Sequence, residues 1–380
     1  MALNSSSRQA RRVYLFAILG LSLALAGCQR GGRPPIGPLP EPTPPPTGLS
    51  YNGVAVIVPL TGPDGPVGTS ISNAARLALL DTREQSIGIT VYNSAGTGGA
   101  AAAAQKAIAE GNRLILGPLL AEDVRAAAPV ARQAGVPIIA YSNDESVAGN
   151  GVYIMGFTPD QSIGRVVSFA RSRGMDRFGA LVPTGLYGER AGQAMVGAVR
   201  ESGGRLVSME IYDRSQASVT AAARRLNAKG AVDAVLIGDS TRMAAIAAPV
   251  LRAGSRKLGT ELWGTDRTIE RNASLRGAWF AAAPDAQFDK LVVRYRARYG
   301  KTPYRLASLG YDSVLLAVRS ARSWPVGRAF PARTLIDKEG FAGVDGSFRF
   351  GRDGIAERLL EVREVTQTGA RPVSPAGTAF

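Results

Sequence analysis

The run Val54-Ala55-Val56-Ile57-Val58, then Pro59-Leu60-Thr61-Gly62-Pro63-Asp64-Gly65-Pro66-Val67-Gly68, then Thr69-Ser70-Ile71 onward to Leu79, carries three signals in order. Five consecutive apolar, mostly β-branched residues describe a strand buried on both faces. The Pro/Gly segment from Pro59 to Gly68 describes a loop. Thr69 or Ser70 can cap a helix whose Ile71, Ala74, Ala75, Ala78 and Leu79 recur at i, i+3, i+4, i+7 and i+8. A buried strand followed by a one-faced helix is the repeating unit of a parallel α/β sheet.

The unit repeats downstream. Strands are expected at 87–92, 114–116 and 137–140, with helices at 100–109 and 121–134 between them. A second series begins with a strand at 178–182 and a helix at 189–201. It continues with strand 205–211, helix 219–227, strand 233–237, helix 242–253 and strand 261–263. Parallel strands joined by helices need both sheet faces covered, so two such series predict two doubly wound, Rossmann-like α/β lobes with a cleft between them. Ligands in such sheets sit beyond the carboxyl ends of the strands, which directs attention to the loops after Val58, Leu116, Ala140, Val182, Ile237 and Trp263.

Upstream, Arg8, Arg11 and Arg12 precede an apolar stretch from Val13 to Ala26 that ends in Leu25-Ala26-Gly27-Cys28. About 14 apolar residues are too few to cross a hydrocarbon core, which takes roughly 20. The pattern is that of a secretory signal, expected over residues 1–27. The small pair before the sole cysteine resembles a bacterial lipobox, in which the thiol is acylated and heads the mature chain; Cys28 is then a lipid anchor. Gln29 after it favours the outer membrane by the same resemblance. Residues 28–50 hold eight prolines between Gly31 and Gly48, a density suited to an extended tether of up to about 55 Å.

Composition removes several function classes. The 380 residues contain no histidine and one cysteine, so disulfides, structural zinc and the Ser-His-Asp triad are excluded. The net charge of +15 is carried mostly by scattered arginines without interleaved aromatics, a pattern that argues against nucleic acid as partner. Paired carboxylates are the remaining acid–base option. Asp144-Glu145 are adjacent and point apart, and Asp285 and Asp289 share a helix face with Lys290 and read as solvated. The Gly96–Gly99 and Gly203-Gly204 runs lack a phosphate-loop lysine. A non-catalytic protein without metal or cofactor is expected.

From Asn52 to about Gln367 the chain resembles the type I periplasmic binding proteins. The resemblance rests on the opening Val54–Gly62 run, Leu116-Gly117-Pro118-Leu119, Ala134-Gly135-Val136-Pro137-Ile138, Tyr187-Gly188, Ala231-Val232-Asp233-Ala234-Val235, and Tyr299–Pro303 before Leu309-Gly310-Tyr311-Asp312. Within that family, Ile139–Asp144 followed by Ser146–Tyr153 and Met155-Gly156-Phe157 is similar to the penicillin-binding protein activator lipoproteins. The resemblance implies residues 52–156 plus 279–341 as lobe I, 157–278 plus 342–368 as lobe II, and 369–380 as a disordered tail. It implies either a regulator that contacts a peptidoglycan synthase across the periplasm or a solute-binding lipoprotein of an ABC importer.

For a ligand cleft the resemblance implies backbone groups at Gly117, Pro118 and Leu119, side-chain hydrogen bonds from Ser142 and Asn143, packing by Tyr187, and an ammonium partner at Asp239 or Asp266. Leu119-Leu120-Ala121 is apolar where carboxylate-binding hydroxyls are expected in the amino-acid-binding members.

Overall fold

The computed structural model describes residues 50–380. The expected signal segment, Cys28 and most of the proline tether lie outside the described residues. Lobe I is built on a five-stranded parallel sheet of order β2-β1-β3-β4-β5. Its strands are β1 (Asn52–Val58), β2 (Ile87–Asn93), β3 (Asn112–Leu116), β4 (Ile138–Ala140) and β5 (Val152–Ile154). Helices α2 (Gly99–Ala109) and α3 (Ala121–Gln133) cover one face, over Ala55, Ile57, Ile115 and Ile138. Helix α1 (Gly65–Thr82) covers the other, over Val54, Val56, Val58 and Leu116. All five apolar residues of the Val54–Val58 run are fully buried, as a two-faced central strand requires.

Lobe II contains α4 (Pro159–Ser172), β6 (Arg177–Pro183), α5 (Leu186–Glu201), β7 (Arg205–Tyr212), α6 (Gln216–Ala228), β8 (Ala234–Ile237), α7 (Thr241–Ala247), β9 (Arg256–Gly259) and β10 (Trp279–Ala282). The chain then returns to lobe I as α8 (Ala286–Tyr299) and α9 (Ala307–Ala321), which pack on the α1 side of the first sheet. A three-stranded antiparallel sheet follows: β11 (Phe341–Gly343), β12 (Gly346–Phe350) and β13 (Ala356–Arg358). Last come β14 (Glu361–Thr366) and β15 (Gly369–Ser374), which complete the lobe II sheet in the order β15-β14-β10-β9-β8-β6-β7.

Several sequence expectations need correction. The helix of the opening unit begins at Gly65, because Pro66 occupies a first-turn position where its missing N–H costs nothing, so the loop is shorter than read. The expected strand at 261–263 is a 3-10 turn, Glu261–Thr265, and the strand is β9 before it. Thr260 caps that turn by accepting from the Leu262 N–H. Trp263 folds back over Gly259, is fully buried, and donates its indole N–H to the Asp239 carbonyl at 2.9 Å. Helix α7 ends at Ala247 instead of Ala253.

The lobe boundaries move as well. Residues 279–282 are a strand of lobe II, and 341–358 pack on lobe I, where Phe341, Phe348 and Phe350 join its core. Residues 369–374 are not a disordered tail: they pair with β14, and Arg165 on α4 holds Ser374 at 2.6 Å. Beyond them the Phe380 ring lies under the Arg349 guanidinium of β12, 4.8 Å from its centroid.

The lobes meet where the chain crosses three times, at 155–158, 283–285 and 359–360. Arg358 donates to the Met155 carbonyl at 2.6 Å and from its backbone N–H to Gln161 Oε1 at 2.9 Å, while Gln161 donates to the Ala356 carbonyl. The first and third crossings are thus bonded to each other. At the second, Asp285 accepts from Arg363 of β14 at 2.5 Å and lies 3.8 Å from Arg305, whose guanidinium pairs with buried Asp345 at 2.5 Å. Asp312 on α9 is fully buried beside this cluster and accepts from the Val344 N–H at 2.7 Å. Burial first, and the Asp345 carboxylate second, push the Asp312 carboxyl up to about 7.

Candidate functional site

Between the lobes lies a cavity of about 570 Å³. Asp64 and Val67 reach it from the start of α1, Leu119 and Leu120 from the loop before α3, and Tyr141 and Asn143 from the loop after β4. Phe157 comes from the first crossing, Ala282 and Ala283 from the second, and Tyr304, Arg305 and Leu306 from the segment before α9. Lobe II contributes Glu261, Leu262, Gly264 and Thr265 from the turn after β9. The loops at the carboxyl ends of β1, β3, β4 and β9 therefore build it, as the topology dictates.

Of the residues singled out by sequence, Leu119 and Asn143 border this cavity. Gly117 and Pro118 do not offer their backbone to it. The Gly117 N–H is bonded to the Ile139 carbonyl at 2.8 Å, the Pro118 carbonyl accepts from the Tyr141 N–H at 2.9 Å, and both residues are buried. Ser142 is buried too, with its Oγ accepting from the Asp144 N–H at 3.0 Å. Its hydroxyl serves the turn.

Asp239 is consumed within lobe II. It accepts from Tyr212 at 2.9 Å, Arg214 at 3.0 Å and the Ser240 N–H at 2.7 Å. Asp266 accepts from Thr241 and Thr268 and borders a separate cavity of about 300 Å³ with Arg363 and Asp285. Tyr187 stands behind the main cavity. Its phenol donates to Glu261 at 2.9 Å and shares a second hydrogen bond of 2.9 Å with Thr260.

The carboxylate that lobe II brings to the cleft is Glu261, which sequence reading passed over because a strand was expected there. It also accepts from Ser162 Oγ at 2.5 Å. Burial pushes its carboxyl above the ordinary glutamate range, and the Ser162 and Tyr187 hydroxyls pull in the other direction. Asp64 was likewise hidden in a segment read only as loop. Among the described residues no group of three or more Cys, Asp or Glu could hold a metal ion.

Across the mouth of the cleft the lobes are joined by charge. Asp144 of lobe I, 1% exposed, is bonded to Arg125 of α3 at 2.6 Å and to Arg190 of α5 in lobe II at 2.5 Å. Burial alone would raise this carboxyl, but hydrogen bonds from Ser146, Arg190 and Arg125 overcome it and hold it at about 2. A second pair, Arg267 of lobe II to Asp289 of α8, is exposed and longer at 3.6 Å, so it contributes little.

Arg190→Ala is expected to cost about 2 kcal/mol and to raise the radius of gyration in small-angle scattering; an unchanged scattering curve would show that this bridge does not hold the lobes together. Asp144 also sets an acid limit. Its depressed carboxyl contributes stability that is complete above the unfolded value of about 3.9 and is lost as pH falls toward about 2. The difference in thermal midpoint between the native protein and Asp144→Asn should therefore be large at pH 7 and shrink below pH 3.

Two α/β lobes joined by three crossings thus flank a cleft at the strand carboxyl ends. The chain belongs to the periplasmic binding protein family, whose model matches residues 53–370. A curated relative, uncharacterized protein RP748 of Rickettsia prowazekii (strain Madrid E), is 25% identical over 174 residues, 46% of this chain and 47% of the relative. The match thus spans about half the length of that relative.

Solved structures share the fold. A protein from Rhodospirillum rubrum is 19% identical with a TM-score of 0.76, over 85% of this chain and all of that one. A solute binding protein of an ABC transporter from Rhodopseudomonas palustris BisB5, in complex with 3,4-dihydroxy benzoic acid, gives 19% and 0.67 over 86% and 97%. The branched-chain amino acid transporter substrate binding protein of Streptococcus pneumoniae, in complex with isoleucine, gives 17% and 0.63 over 86% and 100%.

Proposed function

We propose that the chain is a non-catalytic solute-binding protein of the periplasm, held at a membrane through Cys28, that closes over a small molecule and presents it to an ABC importer. The observation that carries this reading is the cavity of about 570 Å³ between the two lobes, a volume within the range of small-ligand sites. Structural neighbours that hold isoleucine or dihydroxybenzoic acid support it by analogy of fold.

The test is a thermal-shift screen of the purified chain against amino acids, amines and aromatic acids. A bound ligand at 100 times its Kd adds about 2.7 kcal/mol, which is several degrees in midpoint. No shift with any of them at millimolar concentration removes the reading. For the anchor, Cys28→Ser is expected to move the protein into the soluble fraction; membrane fractionation that stays the same counts against acylation.

A different observation favours regulation of a peptidoglycan synthase as a second reading. On lobe II a second groove, of about 610 Å³, runs between α5 and the edge strand β7. Val196, Met209 and Ile211 border it, and all three are exposed, Ile211 at 59%. Contiguous exposed apolar surface marks a protein contact. A lipid anchor and a proline tether suit an outer-membrane protein that reaches a penicillin-binding protein. Co-purification of a penicillin-binding protein from solubilised membranes, lost in Ile211→Asp, supports this second reading; no co-purification removes it.

A further inference from the structure

The cavity between the lobes has charged borders of predominantly one sign. Asp64 enters from lobe I and Glu261 from lobe II. Asp64 is near enough to Asp123 for its charge to help raise the Asp123 carboxyl, after the larger effects of burial and of Glu122. The cation at the border, Arg305, is engaged elsewhere. Its guanidinium pairs with Asp345 at 2.5 Å, lies 3.8 Å from Asp285 and stacks 4.0 Å from the Phe288 ring centroid.

Helix α3 gives an anion no better reception. It begins at the cavity wall behind Leu119 and Leu120, but its first turn already carries Glu122 and Asp123, whose charges occupy the favourable field of the helix end. A carboxylate or phosphate would therefore enter beside Asp64 and find no uncommitted counter-charge on the wall, since Arg305 is paired with Asp345. Desolvating an unpaired anion in such a place is strongly unfavourable.

A cation meets the reverse. Each Glu261 oxygen accepts one hydroxyl, from Tyr187 and from Ser162, and a carboxylate has about four acceptor sites. Lone pairs remain for a third donor. Most of the remaining wall, including Val67, Leu119, Phe157, Leu262 and Leu306, is apolar, and its other polar members, Tyr141, Asn143, Thr265 and Tyr304, carry no charge.

We propose that the cleft selects a small primary amine with an apolar body and no carboxylate, its ammonium paired with Glu261 and its hydrocarbon against the leucine and phenylalanine walls. This rests on the reading of the cleft as a ligand site. An ammonium beside Glu261 also favours the ionised carboxylate that burial disfavours.

Titration calorimetry on the full chain in detergent tests it with matched pairs: isoamylamine against leucine, and phenethylamine against phenylalanine. Each amine is expected to bind at least tenfold more tightly than its amino acid. Glu261→Gln, which keeps the shape and a hydrogen-bond acceptor, should weaken the amines at least tenfold; Asp64→Asn, on the other lobe, should weaken them less. Circular dichroism melting confirms that both variants are folded. Equal or tighter binding of the amino acids overturns the amine proposal and leaves the ligand site standing, as does amine affinity that is indifferent to Glu261→Gln. Binding of neither class, nor of any compound in the thermal-shift panel, overturns both.

Discussion

Asp345→Ala is expected to destabilise the protein by about 3–5 kcal/mol, the range for leaving a buried charge without its partner. Asp345 is fully buried in the turn between β11 and β12 and pairs with Arg305, itself only 9% exposed, at 2.5 Å. Arg358, also buried, lies in the electrostatic reach of Asp345 and Asp312. Removing Asp345 leaves Arg305 with only its longer 3.8 Å contact to Asp285 and Arg358 with Asp312 alone of its two aspartates.

Part of the loss is offset, because the Asp345 charge is one of the two causes that raise the Asp312 carboxyl. The sign of the accompanying pH effect follows. With a native value of about 7 and an unfolded one of about 3.9, the native state binds the extra proton between them, so this group's contribution to stability falls as pH rises through that window. Urea unfolding at pH 5 and pH 8 should show the slope in the native protein and a flatter one in Asp345→Ala. A loss below about 1 kcal/mol, typical of an exposed pair, would place the cluster in contact with water.

Gly188→Ala is expected to cost about 3 kcal/mol, at the upper end of overpacking effects, although alanine is otherwise the better helix former. The reason is a close approach. A Cβ at Gly188, in the first turn of α5, would run into the carbonyl oxygen of Pro183 at the end of β6. Backbone on both sides leaves no flexible atom to yield. Gly68 on α1 meets the carbonyl of Pro59 in the same way, so each lobe opens with the same strand-to-helix packing. Gly197, further along α5, has nothing within 4 Å of such a Cβ, and Gly197→Ala should stabilise by roughly 0.5–1 kcal/mol. If chemical denaturation finds the two alanines alike, the packing argument fails.

The fold was legible because its strands are short, buried and apolar, and helices with one-faced spacing separate them. Period and punctuation suffice for that. The site was less legible, since its polar members depend on which way a loop turns after a strand. Glu261 and Trp263 share one segment expected as a strand, yet the Trp263 ring turns back into the core over Gly259 and the Glu261 carboxylate meets the cleft. No periodicity distinguishes that turn from a strand. Asp239 and Asp266 do follow the expected stretches, but local donors satisfy them. Sequence can place a carboxylate at a strand end; only the fold reveals whether its hydrogen bonds are already spent.

The lobe boundaries failed for a related reason. The resemblance divides the chain at 341, inside a small antiparallel sheet whose Phe341, Phe348 and Phe350 would suit the core of either lobe. The choice is made by Asp312, whose carboxylate occupies the space beside Gly343 and receives the Val344 N–H. That contact fastens the small sheet to α9 and hence to lobe I.

The path of the last residues has a practical consequence. After β15, at the far edge of the lobe II sheet, the chain runs back until Phe380 meets Arg349 on the small sheet of lobe I. A tag or fluorophore attached after Phe380 would therefore travel with lobe I instead of reporting on lobe II. A distance probe of cleft opening is better placed on an exposed lobe II site such as Val196, paired with an exposed lobe I site such as Leu80. Pulling on such a pair would load the three crossings in parallel, and the Arg358–Met155 and Arg363–Asp285 contacts would bear the strain together.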